Sequence, residues 1–326
     1  MDKTRRNFFK KTSLATCALT FGVANGLSAQ SYRKIMGAND RVRVGIVGFS
    51  NRAKGALIPA FVGNQKNMNF EIVGVSDIWN RRREEGAAFI KEKAGNRAKV
   101  WRNNEEMYNT NSIDAVIIST ADFQHALHTV QAANSKKDVY VEKPFAETME
   151  DARIGRKAVE ESGIVFQIGS QRRSGANYHA ANEYIKSRKF GDIIMVEMSW
   201  NVNQPGRWRL PKLTKEIRES DTDWKRYLMN RPYEAWDPRK YLEYRLFWPY
   251  SSGIPGQWMS HQIDTVHWFS GLDHPRSVAA NGGIYLWKDG RKNFDTMTAV
   301  FDYGETNNPE NGFQVCLLYT SDAADE

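Results

Sequence analysis

Two side chains in this sequence stand where a proton could be moved. The first is Lys143, in Asp138-Val139-Tyr140-Val141-Glu142-Lys143-Pro144-Phe145. Val139 to Val141 is a short apolar run that reads as a buried strand, and Pro144 cannot donate to a ladder, so the strand ends before it. Glu142 and Lys143 are thereby delivered to a strand's carboxyl end, the edge at which open α/β sheets bind ligands. A desolvated amine near other positive charge loses its preference for the ammonium form and can give and take a proton near neutral pH. The bland alternative is a surface lysine ahead of a loop proline.

The second is His261, in Gly253-Ile254-Pro255-Gly256-Gln257-Trp258-Met259-Ser260-His261-Gln262-Ile263-Asp264-Thr265-Val266-His267-Trp268. Gln257 and His261, four residues apart, share one face of a helix. A glutamine can bond a substrate hydroxyl but cannot take its proton, and Asp264, three residues on, is placed to orient His261. A lone histidine on an apolar helix is more often structural. His261, Asp264 and His267 also raise a metal site, but their steps of three rotate around the helix and no fourth ligand is evident, so no metal is expected.

The elements upstream read as a nucleotide-binding half. Arg41-Val42-Arg43-Val44-Gly45-Ile46-Val47-Gly48 alternates and then turns apolar, as a first parallel strand does. Phe49-Ser50-Asn51-Arg52-Ala53-Lys54-Gly55 and a helical pattern follow, the context that a dinucleotide fingerprint requires. Gly48 fills the first glycine position, Ser50 the second and Ala53 the third; the Ser50 hydroxyl can bond a phosphate oxygen where backbone would otherwise approach it. The next strand, Phe70 to Asp77, ends in an acid whose carboxylate suits ribose hydroxyls and repels a 2′-phosphate, favouring NAD over NADP. Arg81, Arg82 and Arg83 read first as a solvated helix face, and second as a phosphate site. A third strand is expected at Ile113–Thr120, a helix from Ala121 to Ala133, the Lys143 strand, a helix Thr148–Glu161 and a strand Ile164–Gly169. Strands alternating with helices at this spacing make a doubly wound parallel sheet.

Gly45-Ile46-Val47-Gly48, the strand-end Asp77, Ser119-Thr120 with His125, and Glu142-Lys143-Pro144 together resemble the glucose–fructose oxidoreductase / inositol dehydrogenase / rhizopine catabolism family over residues 40–315. The resemblance implies a Rossmann-type domain, then an α+β domain with a large, mostly antiparallel sheet covered by helices on one face and open for self-association on the other. It implies cofactor contacts from Gly48, Ser50, Asn51, Arg52, Asp77, Ser119, Thr120, His125, Glu142 and Lys143, with Lys143 beside the nicotinamide and the reacting hydroxyl. The family's Thr-Pro-Asn-x-x-His pattern stands here as Thr120-Ala121-Asp122-Phe123-Gln124-His125. Its Asp-x-x-x-His helix stands as Gln257 to His261, so His261 and Lys143 share the acid–base work. Arg172 and Tyr178 line the cleft on the same grounds.

Strand-like patterns run from Ile193 to Trp200, Ser277 to Trp287 and Asp295 to Tyr303, and Asp223-Trp224-Lys225-Arg226-Tyr227-Leu228 reads as a packing motif. Eight of the ten tryptophans lie in this half, most as core anchors. Trp208, Trp248 and Trp258, flanked by Gly, Pro and Ser, are the ones expected to meet the CH faces of a sugar.

Thr4-Arg5-Arg6-Asn7-Phe8-Phe9-Lys10 and the small-residue segment after it have the form of a twin-arginine export signal over 1–29, with a linker to 39. It is too short and polar for a membrane span. Within residues 1–40, seven basic side chains against Asp2 and Asp40 make +5 of the net +8, leaving +3, so the charge does not argue for nucleic acid. Cys17 and Cys316 provide no disulfide framework. Residues 316–326 resemble one reading frame of a transposon-type sequencing adapter, which makes 170–315 an incomplete second domain and the remainder a non-native tail.

The sequence therefore reads as a periplasmic NAD-dependent (NADP as the second choice) oxidoreductase of a sugar, glycoside or cyclitol, homo-oligomeric when whole. An NAD-dependent glycosidase of the same fold is a rival, although the best-known of those lack the Glu-Lys-Pro lysine. A non-catalytic sugar sensor is another, opposed by Lys143 and His261 standing together.

Overall fold

A computed structural model describes residues 41–320, apart from 202, 306 and 307. The export segment, the linker and residues 321–326 lie outside the described residues.

The first apolar run forms β1 (Val42–Val47), its last four residues buried. A helical run follows, with a five-residue π turn, Ala53–Leu57, ahead of α1 (Ile58–Met68). Next come β2 (Phe70–Ser76), α2 (Asn80–Ala94), β3 (Lys99–Trp101), α3 (Asn104–Tyr108), β4 (Ala115–Ile118), α4 (His125–Asn134), β5 (Asp138–Glu142), α5 (Met149–Ser162) and β6 (Phe166–Gly169). The six strands are parallel in the order β3-β2-β1-β4-β5-β6. The order reverses direction between β1 and β4, and the crevice above that switch is where such sheets take ligands. The run Ile113–Thr120, expected as the third strand, supplies β4 instead, because Lys99–Trp101 intervenes. Three residues are too few to show a period; β3 is secured by Trp101, whose ring fills the space beside Gly74, where a Cβ would approach it to 2.3 Å.

The second half contains α6 (Ala176–Lys186), β7 (Met195–Asn201), α7 (Pro211–Glu216), α8 (Trp224–Leu228), α9 (Pro238–Leu242), α10 (Ser260–Ser270), β8 (Ser277–Gly283), β9 (Thr296–Glu305) and β10 (Asn308–Thr320). Its sheet runs β7-β10-β9-β8. β10–β9 and β8–β9 are antiparallel, and β10 pairs with β7 in parallel, Gln314 opposite Met195 through Thr320 opposite Asn201. Cys316 to Thr320, the start of the adapter-like segment, are therefore part of β10. Met259 and Val266 from the α10 region pack with Met198, Ala299, Val315, Leu317 and Tyr319 on one face of this sheet. Val278, Val300 and Leu318 are exposed. The strand expected to reach Trp287 stops at Gly283. Buried Asp295 accepts the main-chain N–H groups of Tyr285, Leu286 and Trp287 at 3.0, 2.9 and 2.7 Å and curls the chain away from the ladder. Burial alone would raise the Asp295 pKa, but these donors hold it below the usual carboxylate value.

The halves meet through aromatic packing. Phe123, fully buried, contacts Tyr227 and Tyr250 edge-on at 5.4 and 5.3 Å, and Gln124 Nε2 donates to the Tyr227 carbonyl at 2.7 Å. Trp224 stacks on Tyr227 and donates from Nε1 to the Glu234 carbonyl, so the Asp223–Leu228 segment is a packing element. Truncating Phe123 to alanine is expected to cost roughly 3–5 kcal/mol.

Candidate active site

One cleft of ≈ 1040 Å³ runs along the carboxyl ends of β1, β2, β4 and β5 and under the turn before α10. That is room for a dinucleotide together with a sugar-sized molecule.

At the nucleotide end, Gly48 takes φ +81, and a Cβ there would lie 2.6 Å from the Thr120 methyl. The main chain therefore passes tightly between two strand ends, with Gly48 N–H on the Ser76 carbonyl and Ser119 Oγ donating to the Gly48 carbonyl at 2.9 Å. Ser50 Oγ accepts the Ala53 N–H at 3.2 Å, capping the helical run while keeping its own hydrogen free for an anion. Asp77 accepts from Phe49 N–H at 2.8 Å and Trp79 N–H at 2.9 Å. Burial raises its pKa, and these two donors oppose the rise. Thr120 Oγ1 is buried with no partner. A glycine-limited loop, a helix start, a strand-end acid and an orphaned hydroxyl suit an NAD-type dinucleotide. Ser50, Asn51, Arg52 and Thr120 would face its phosphates, and Asp77 a ribose.

Among the three arginines after Asp77, Arg82 lines the cleft. Arg81 pairs with Glu85 and Glu216, Arg82 also pairs with Glu85 at 3.0 Å, and Arg83 donates to the Asp77 carbonyl. The solvated-face expectation therefore fails for Arg82. Glu142 and His125 line the cleft but are occupied. Glu142 pairs with Arg52 at 2.9 Å and accepts from Gln171. His125 sets its ring nitrogens against the Pro144 and Thr120 carbonyls at 2.7 and 3.2 Å, and burial lowers its pKa against the pull of Asp122 and these carbonyls. Both brace the loops that hold Lys143 and Thr120.

At the other end Lys143 and His261 face one space. The Lys143 ammonium donates to the main-chain carbonyl of Gln257. That carbonyl belongs to a π turn, Pro255–Met259, where the helical ladder is loosened. Burial pushes the Lys143 pKa down to about 8, against the pull of Asp122 and Glu142. Burial and then the Lys143 charge push His261 down to about 4, so its imidazole is neutral. Gln257 is buried with its Nε2 unpartnered, a donor waiting for an acceptor.

Arg172, Trp208, Gln257 and Trp258 line the same space, whereas Tyr178, Asp264 and Trp248 do not. Asp264 makes a two-pronged pair with Arg173, Nε at 2.9 Å and Nη2 at 2.9 Å, which engages its carboxylate away from the cleft lining and from His261. Tyr178 accepts from Arg172 and supports it from behind. Trp248 is 56% exposed. His267 bonds the Tyr303 hydroxyl at 2.8 Å, away from any shared site with His261.

Sequence reasoning missed Asp122 as a site residue. It is 1% exposed, accepts from Ser251 Oγ at 2.7 Å and the Tyr244 hydroxyl at 3.2 Å, and is the carboxylate that most supports the Lys143 charge. In the sequence it stands where the resembled family's Thr-Pro-Asn-x-x-His pattern has asparagine. Arg207 and Arg245, and Asn104 with His128 at the nucleotide end, were missed too; they come from separate loops and helices with no shared period.

A parallel six-stranded sheet with a glycine-limited loop at its switch point, followed by a second, four-stranded sheet, is a two-domain arrangement of Rossmann type. Residues 42–170 match the family described as "Oxidoreductase family, NAD-binding Rossmann fold" (GFO_IDH_MocA). That match spans the whole of the six-stranded sheet and stops at the end of β6. The chain is 25% identical over 213 residues to inositol 2-dehydrogenase of Salmonella paratyphi B, covering 65% of this chain and 60% of that one. It is 31% identical over 162 residues to 1,5-anhydro-D-fructose reductase of Ensifer adhaerens, 47% of this chain and 48% of that one. It thus spans 60% or less of the length of these relatives. The WlbA dehydrogenase of Bordetella pertussis, solved with NADH and UDP-GlcNAcA, shares the fold at TM-score 0.65 and 20% identity, over 88% of this chain and 72% of that one. Among the described residues no helix is long and apolar enough to cross a membrane.

Proposed function

We propose that this chain is an exported NAD-dependent oxidoreductase that moves hydride between a carbinol carbon of a sugar, glycoside or cyclitol and the cofactor. The observation that carries the reading is the convergence of Lys143 and a neutral His261 in the cleft that holds the dinucleotide cradle. When bound, the nicotinamide supplies the hydride acceptor or donor. The protein's own part is proton handling and orientation. Lys143, tuned to about 8 and aimed by the Gln257 carbonyl, holds or releases the hydroxyl proton. The neutral His261 ring donates its one N–H to the same oxygen, and Gln257 Nε2 donates to a neighbouring oxygen. Trp208 and Trp258 offer apolar faces to the ring.

The test is to incubate the full chain with NAD and a panel of sugars, cyclitols and aryl glycosides, following reduced nicotinamide and aglycone release. Reduction without aglycone release supports the reading; aglycone release without net reduction replaces it with the oxidation–elimination–reduction glycosidase; neither, with ligand bound, makes the chain a sensor. Export rests on Arg5-Arg6, and a folded reporter carrying residues 1–39 should lose export when both become lysine. Self-association through the sheet face carrying Val300 and Leu318 is part of the same proposal, and a monomer in light scattering would remove it.

A further inference from the structure

We propose that the substrate is an anionic carbohydrate, a sugar carrying a carboxylate or a phosphate, bound by Arg172, Arg207 and Arg245. This rests on the reading that a carbohydrate hydroxyl reacts beside Lys143, and it names the class of carbohydrate.

All three arginines line the cleft beside Lys143 and His261. Elsewhere guanidiniums are matched to acids, as in Arg43–Asp114, Arg52–Glu142, Arg173–Asp264 and Arg231–Asp151. These three have no such match among the described residues. Arg172 donates to the Tyr178 hydroxyl and Arg207 to the Gln204 side-chain carbonyl, both neutral acceptors. Arg245 has a buried Nε with no partner at all. The nearby carboxylates are already committed, Asp122 to Ser251 and Tyr244, and Glu142 to Arg52 and Gln171.

The cations are laid on a connected aromatic floor. Arg207 stands 4.0 Å above the Trp258 ring, Arg172 5.9 Å from Trp200 and Arg245 5.6 Å from Trp208. Trp258 touches both other indoles, at 4.9 Å to Trp200 and 5.6 Å to Trp208. A sugar ring can lie on such a floor while an anionic substituent spans the guanidiniums. Four positive groups face one space: burial first and then the Arg245 charge disfavour the charged form of Arg207, and Arg245 acts in the same sense, after burial, on Lys143. A neutral ligand leaves that repulsion in place, and an anion relieves it. The cofactor's phosphates are served at Gly48–Arg52, at the β1–β4 switch.

The experiment is calorimetry on the full chain saturated with NAD, titrated with glucuronate, glucose 6-phosphate, glucose and myo-inositol at low and high salt. At least one anion should bind about ten- to hundredfold more tightly than glucose, as one or two charge-assisted hydrogen bonds provide, and lose that advantage in salt. Arg207→Gln and Arg245→Gln should each remove about tenfold of anion affinity without moving the affinity for NAD. Arg207 is exposed, so its variant keeps the fold, which circular dichroism checks. The preferred anion distinguishes carboxylate from phosphate. Neutral sugars binding as well as both anions, no anion binding at millimolar concentration, or variants that weaken NAD instead would overturn the proposal. An anion that binds tightly but is never oxidised keeps the anion site and removes the oxidoreductase reading; oxidation of neutral sugars without anion preference keeps that reading and removes the anion site.

Discussion

The Lys143 ammonium donates to the main-chain carbonyl of Gln257, so the end of β5 and the turn before α10 are joined by a hydrogen bond at the group proposed to carry the proton. The bond ties the nucleotide-binding half to the second half at the group whose protonation matters. Replacing Lys143 with alanine removes the proton carrier but leaves the Gly48–Arg52 cradle intact. Turnover is expected to fall roughly 10²–10⁴-fold, with calorimetric NAD affinity within about threefold of the parent. Turnover within that same threefold would take Lys143 out of the mechanism.

The pH dependence follows from the two proton-handling groups. Oxidation of an alcohol needs a proton acceptor, and Lys143, pushed down to about 8, becomes one as pH rises through that value. Oxidation rates should therefore climb through about pH 8 and level off, and carbonyl reduction, which needs the ammonium, should fall over the same range. His261, at about 4, is neutral throughout and adds no limb near neutrality. Initial rates in both directions from about pH 6 to 10 check this; a limb near 6.5 would assign the base to His261.

Legibility in the sequence was uneven, for physical reasons. The Val139–Val141 run and Pro144 fix where a strand starts and stops, and a strand end is a place in a parallel sheet, so the position of Lys143 could be read locally. Gly48 and Asp77 were readable in the same way. Asp264 was not, because its partner Arg173 comes from the turn after β6, and no spacing within a helix reveals a pair formed across elements. Arg172, Arg207 and Arg245 converge from three unrelated loops, and β3 carries too few residues to show a period.

Cofactor choice turns on Asp77 and Arg82. The carboxylate opposes a 2′-phosphate, while Arg82, lining the cleft, attracts one. NAD should bind more tightly than NADP, Asp77→Ser should narrow the gap, and Arg82→Ala should widen it. Tighter NADP binding by the parent, measured calorimetrically, would show that Arg82 reads the phosphate.

Glu147 offers a stability test separate from activity. Its carboxyl lies against Ser252 and Gly256 with Oε1 buried and unpartnered, and burial raises its pKa to about 7. The folded state therefore holds a proton that the unfolded chain releases near 4.5, and stability declines as pH rises from that value through about 7. Glu147→Gln should stabilise the protein by about 1–3 kcal/mol at pH 8 and by little at pH 4.5. Urea melts at both values check it; equal effects at the two would mean that the carboxyl is not strained by burial.

The indole floor under Arg207 has an optical consequence. Trp200, Trp208 and Trp258 lie in contact within the cleft that receives the nicotinamide. Tryptophan emission overlaps the absorption of a reduced nicotinamide, so excitation energy should pass from these rings to the cofactor when it binds. An anion bound to Arg207, which sits 4.0 Å above Trp258, is expected to change the charge over that ring and with it the quenching. The protein thus carries its own fluorophores for both ligands, and each binding event can be followed before any substrate has been identified.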